Sequence, residues 1–171
     1  NGVDTIEKTG TGTFTIVAAP SAQDSFAFDI GALDILEGDI QLGIVGDGAF
    51  AMRGDLTNNG GLWLGRAIGD VESLTGIEGI TFDLTGSYQQ GDEGRLYVPI
   101  NASIATTPGS TSAFFNVTGA ANLAGEIALA NQIGVYFGGE RVDFLTVGGT
   151  FTATDLGVTP LNNSPFLEYS L

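Results

Sequence analysis

The chain contains neither cysteine nor histidine. Their absence rules out a disulfide framework, a thiolate or imidazole metal site, a cysteine nucleophile and a histidine-based triad. The usual general base for work near neutral pH is missing with them. A serine with a lysine is formally available, but the single lysine, Lys8, stands in the first ten residues. The chain therefore reads as a non-enzyme. Cations are scarce too: Lys8, Arg53, Arg66, Arg95 and Arg141 face 20 acids, for a net charge of −15. Binding to phosphate depends on clustered cations, so nucleic acid and anionic membrane surfaces are poor partners. No run of about 20 apolar residues and no signal peptide occurs, which excludes a helical membrane span. The first residue is Asn1, which suggests a processed or trimmed form.

What is present is apolar and glycine-rich. Hydrophobic residues make up 43% and charged ones only 15%, with a mean hydropathy of +0.23. A disordered acidic tail would need the opposite balance. A length of 171 residues suits one domain with a sizeable core. The 27 glycines fall at turns and strand ends, without a collagen-like repeat. Such acidity fits solubility at high subunit density, cation binding, or a halophilic or extracellular setting; extracellular or cell surface is the expected location. A lack of disulfides is neutral for a bacterial or archaeal surface protein.

Alternation of apolar and polar residues predicts strands along most of the chain. Thr11 to Ala18 places Phe14 and Ile16 on one face; Phe26 to Ile30, Asp39 to Ile44 and Ile80 to Thr85 alternate likewise. Ala32 to Leu36 leans to strand. Ala49 to Thr57 and Gly61 to Ile68 read as a hairpin about Asn59-Gly60, which sets Leu56 opposite Trp63. That register also opposes Arg53 and Arg66, an unfavourable pair. Arg95 to Ala105 is a strand whose Pro99 belongs at an edge or bulge. A second hairpin is predicted at Gly138-Gly139, followed by a bend or bulge at Gly148-Gly149. The phrase Gly-Thr-Phe-Thr occurs twice, at Gly12 to Thr15 and Gly149 to Thr152. Ala120 to Asn131, with a stripe of Leu123, Ile127 and Ala130, is the one predicted helix. Asp70 to Gly79 is irregular, and Phe166 to Leu171 is a last strand.

About ten short strands at roughly ten-residue intervals predict an all-β fold, a jelly-roll-like β-sandwich of mostly antiparallel strands. Residues 1–19 are expected as an N-terminal arm with a detachable strand, set off by Pro20, and 20–171 as the sandwich.

Several motifs resolve into ordinary turns. Gly46 to Ala51 matches a dinucleotide fingerprint, but Arg53-Gly54-Asp55 and Asn58 to Gly61 forbid the helix that must follow. Arg53-Gly54-Asp55 resembles an integrin tripeptide, yet it lies inside an alternating run rather than at a loop tip. Three sequons stand at Asn101, Asn116 and Asn162, candidates for glycosylation in a secreted protein. Carboxylates gather at Asp34, Glu37 and Asp39, at Asp70 and Glu72, and at Asp92 and Glu93. Each group could hold Ca²⁺, the one candidate cofactor for this chain, although solvated turn carboxylates are the commoner case. No group has EF-hand spacing. A glycosidase built on paired carboxylates would need aromatic sugar platforms, and the chain has one tryptophan and four tyrosines.

The expected function is a self-assembling extracellular subunit, a homopolymer forming a filament or surface layer. Thr11 to Ala18 would be donated to a neighbour, with Phe14, Ile16 and Ala18 filling its slots. A carbohydrate- or surface-binding module using Trp63 is the alternative. A small outer-membrane β-barrel, suggested by the alternation of Leu167, Tyr169 and Leu171, comes third.

Overall fold

A computed structural model describes residues 3–18, 27–44, 49–66, 81–101, 111–131, 139 and 141–161. Their strands are β1 (Val3–Lys8), β2 (Thr13–Ala18), β3 (Ala27–Ile35), β4 (Asp39–Ile44), β5 (Ala49–Asn58), β6 (Gly61–Arg66), β7 (Thr81–Thr85) and β8 (Tyr88–Gln90). There follow β9 (Arg95–Asn101), β10 (Thr111–Ser112), β11 (Phe114–Val117), β12 (Ala121–Leu123), β13 (Glu126–Asn131), β14 (Leu145–Val147), β15 (Phe151–Ala153) and β16 (Gly157–Pro160). No helix occurs among the described residues.

Among the described residues pairing is parallel, apart from a two-residue antiparallel contact of β10 with β9. One sheet runs β1, β3, β5, then β7 with β8, β11 with β12, and β14 with β15; the other runs β2, β4, β6, β9, β13, β16. Each coil thus lays a bent strand on the first sheet, turns a tight corner, and lays a strand on the second. The described residues form six coils, stacked into a β-solenoid. This overturns the antiparallel jelly-roll sandwich expected from strand count and spacing.

Register turns each inward position into a column. Phe14, Ile40, Leu62, Leu96, Ile127 and Val158 form one. Ile6, Leu33, Leu56, Tyr88, Ala121 and Phe151 form another. Middle members of both are fully buried, Leu33, Ile40, Leu62 and Tyr88 each at 0% exposure. Two corners are made by glycines in register. Gly12, Gly38, Gly60, Gly94 and Gly125 share the tight corner, where Gly38 (φ 67°) and Gly125 (φ 72°) take left-handed conformations. Gly54, Gly86, Gly119 and Gly149 share the bend of the first sheet, joined by Gly119 N–H to Gly86 C=O (2.8 Å) and Gly149 N–H to Gly119 C=O (2.9 Å).

Two local expectations fail for a stated reason. Asn59-Gly60 is not a hairpin turn: it passes the chain from β5 to β6 on different sheets, and both strands pair with other coils. The expected helix at 120–131 is β12, a corner at Ala124-Gly125, and β13. Its apparent stripe arose from two runs of alternation, Ala121 with Leu123 and Ile127 with Leu129, joined across a left-handed glycine. Pro99 lies in β9, paired with Ala130 of β13 and beyond Tyr97, the last residue whose pairing with β6 is described. Of the predicted hairpin at Gly138-Gly139 only Gly139 and residues from Arg141 onward are described. Asp70 to Gly79 and Phe166 to Leu171 lie outside the described residues.

Candidate functional site: the open end coils

Interior coils satisfy their backbones against a coil on either side. Among the described residues the first and last coils pair with a coil on one side only, so β1 and β2 at one end, and β14, β15 and β16 at the other, show an unpaired ladder edge there.

At the first coil the inward side chains are Ile6, Lys8, Phe14 and Ile16. Phe14 is 51% exposed although its column is otherwise apolar core. A cavity of about 450 Å³ opens here, lined by the turn from Ile6 to Phe14. Lys8 holds an inward position in the column Lys8, Ile35, Asn58, Gln90, Leu123, Ala153. A charged group cannot enter the core unpaired. Its Nζ instead donates to the carbonyls of Thr9 (3.2 Å), Glu37 (3.0 Å) and Gly10 at the corner. At the last coil Phe151 is 52% and Leu161 42% exposed, while Leu156 and Val158 are half-buried. Asp155 turns this coil's corner at φ 50°, the one non-glycine residue with positive φ among those described.

Of the assembly residues read from the sequence, Phe14 and Ile16 belong to this end surface, whereas Ala18 is buried within its own chain at 2%. The strand Thr13–Ala18 is paired along its whole length with β4. Val3–Lys8, expected as part of an extended arm, is paired with β3. The importance of Lys8 and Phe151 escaped sequence reading. The signal for both was present: Lys8 alternates with Ile6, and Phe151 repeats the setting of Phe14 in Gly-Thr-Phe-Thr.

The acids do not converge. Asp34 stands on the outer face between Glu7 and Thr57, Asp39 begins β4 beside Gly61, and Glu37 is exposed. Asp92 and Glu93 are exposed at the corner before β9. No cluster of three or more potential ligands forms among the described residues, and Asp70 and Glu72 fall outside them. Of the sequons, Asn101 is 3% exposed and its amide has no hydrogen-bond partner. Asn116 is half-buried and donates to Asp83 Oδ1 at 3.2 Å, and Asn162 is not described.

Trp63 lies on the outer face, in the column Thr15, Gln41, Trp63, Tyr97, Ala128, Thr159, and not opposite Leu56. Its ring stacks on Tyr97 with centroids 3.6 Å apart and planes within 7°. Sugar stacking needs an indole face, and here one face is taken by Tyr97 while the other looks along the column to Gln41. Arg95 extends the group, bonded to Tyr97 (3.4 Å) and paired with Glu126; both contacts hold its guanidinium above the ordinary range, Tyr97 foremost.

Comparison with protein-family models, with curated proteins and with solved structures finds no match.

Proposed function

We propose that the chain is an extracellular structural subunit, a solenoid scaffold that assembles through its ends. One observation carries this reading: the two outermost described coils combine strand edges left unpaired among the described residues with exposed side chains that belong to core columns, Phe14 at one end and Phe151 at the other. Exposed apolar groups on an open parallel edge invite strand addition. The net charge of −15 favours solubility of the separate subunit. Strand exchange is not needed, since β2 can stay paired with β4 and offer its other edge.

The carbohydrate reading draws little support from an indole stacked on its neighbour. A transmembrane barrel is closed and antiparallel, unlike two parallel sheets with free edges. Sedimentation velocity with electron microscopy tests the proposal. Particles that lengthen with concentration, and shorten in Phe14→Asp with unchanged circular dichroism, are expected. A single compact species at every concentration would overturn it.

A further inference from the structure

We infer that the partner of the first coil is the last coil of a second copy of this chain, added head to tail and in register. The inference rests on the assembly reading above and adds to it the partner, the polarity and the alignment. Apolar matching is the first reason. Phe14 and Val158 are the two ends of one inward column, and Ile6 and Phe151 the two ends of another. Placing the last coil of one copy on the first coil of the next continues both columns, apolar on apolar, and fills the cavity at Ile6 to Phe14. It also continues a parallel ladder. Two first coils facing each other would have to pair antiparallel.

Charge is the second reason, and it selects polarity. The first-coil edge carries Asp4, Glu7 and Lys8. Asp4 aligns with Gly31 in the bend position that Gly149 holds in the last coil. Glu7 heads the outer column Glu7, Asp34, Thr57, Gln89, Asn122, Thr152. Both carboxylates of an incoming first coil therefore meet uncharged residues, Gly149 and Thr152. Lys8 heads the column that ends in Ala153, and exposed Asp155 turns the corner two residues further on. Head-to-tail addition brings this carboxylate to the corner held by the chain's only lysine. Head-to-head addition would instead bring together two edges that each carry two carboxylates against one lysine, and would leave Asp155 at the far ends. Because the contact is heterologous, repeated addition gives an open filament and not a closed dimer.

The absence of cysteine makes the alignment directly readable. Thr15 and Thr159 are exposed and end one outer column. Adjacent strands lie about 4.8 Å apart, within the Cα separation a disulfide spans. Mixing Thr15→Cys chains with Thr159→Cys chains under mild oxidation should give a covalent dimer. The double variant should give a ladder of multimers. Self-crosslinking of Thr15→Cys alone, or association without the mixed disulfide, would overturn the head-to-tail register while leaving assembly standing. Absence of association by sedimentation would overturn both. Asp155→Asn keeps a residue that tolerates positive φ and should weaken association roughly two- to fivefold. Unchanged association would remove the Lys8 corner from the interface.

Discussion

Most buried residues described are aliphatic or aromatic, and two of the polar exceptions, Asn58 and Gln90, form with Tyr88 one hydrogen-bonded chain behind the tight corner. Asn58 donates to Tyr88 Oη (3.2 Å) and to the Arg95 carbonyl (3.1 Å), and accepts from Gly60 N–H (3.2 Å). Tyr88 donates to Gln90 Oε1 (2.7 Å), and Gln90 Nε2 donates to the Ala124 and Glu126 carbonyls (2.6 and 3.1 Å). Three successive coils are tied by groups that are each buried, as a satisfied polar network requires. Tyr88→Phe strands the Gln90 oxygen and should cost about 1–3 kcal/mol in denaturant melts at pH 8. Burial pushes the Tyr88 hydroxyl well above its ordinary value of 10.0, opposed only by the Asn58 hydrogen bond. The unfolded tyrosine ionises above that value while the folded one does not. Its contribution is therefore complete below pH 10 and falls as pH rises beyond it. Wild type should lose more stability between pH 9 and 11 than Tyr88→Phe; equal losses would show that the hydroxyl is not buried. Asp155, held at φ 50°, presents the reverse case: Asp155→Gly should leave stability unchanged or raise it by about 1 kcal/mol.

At the scale of elements, coils can approach closely only where side chains are absent at the bends. A Cβ at Gly86 would lie 2.0 Å from the Gly54 carbonyl oxygen, whereas one at Gly65, within β6, would meet nothing inside 4 Å. Gly86→Ala should destabilise by about 2–3 kcal/mol and Gly65→Ala should be neutral or gain up to about 1 kcal/mol, as thermal melts would read. The strands themselves were legible: β2, β4, β5, β6, β7 and β9 fall on predicted runs, with Phe14, Ile40, Phe50 and Leu96 pointing inward as alternation requires. Their partners were not. Alternation records which face is buried, and it is the same whether the next strand returns beside its predecessor or turns a corner to another sheet. Asn59-Gly60 suits either path. A solenoid announces itself by a fixed period, and here the period is broken. Asp39 pairs with Gly61, but Gly61 pairs with Arg95, a much longer step. The glycine columns become visible only once that irregular spacing is known. The end surface was half legible: Phe14 and Ile16 stood out as apolar anchors, and the alternation of Lys8 with Ile6 put both on one face of β1, but only the pairing shows that this face joins theirs.

For the whole molecule, coils that touch only their neighbours make stability a sum of coil and interface terms. Electrostatics acts against that sum, because −15 charges repel and some stack, as Glu7 does on Asp34. Raising salt from about 10 to about 150 mM shortens the screening length from roughly 30 to 8 Å and should raise the melting temperature. Calcium at equal ionic strength is the comparison, and a further rise would assign it a site. The sharper test of the architecture is removal of residues 1–18. A sandwich that had only lent out its first strand would lose an edge, remain monomeric and accept the missing peptide in trans. A solenoid loses one complete coil, and the break uncovers the next. Leu33, Ile35, Ile40 and Ile44, all at 0% exposure, would then line a fresh open end more apolar than the one removed, without a lysine to close its corner. The truncated chain should therefore keep its β circular dichroism, show a smaller denaturant m-value because less surface is buried, and associate more strongly than the parent. A truncated protein that stays monomeric while folded would show that open coils of this chain do not adhere.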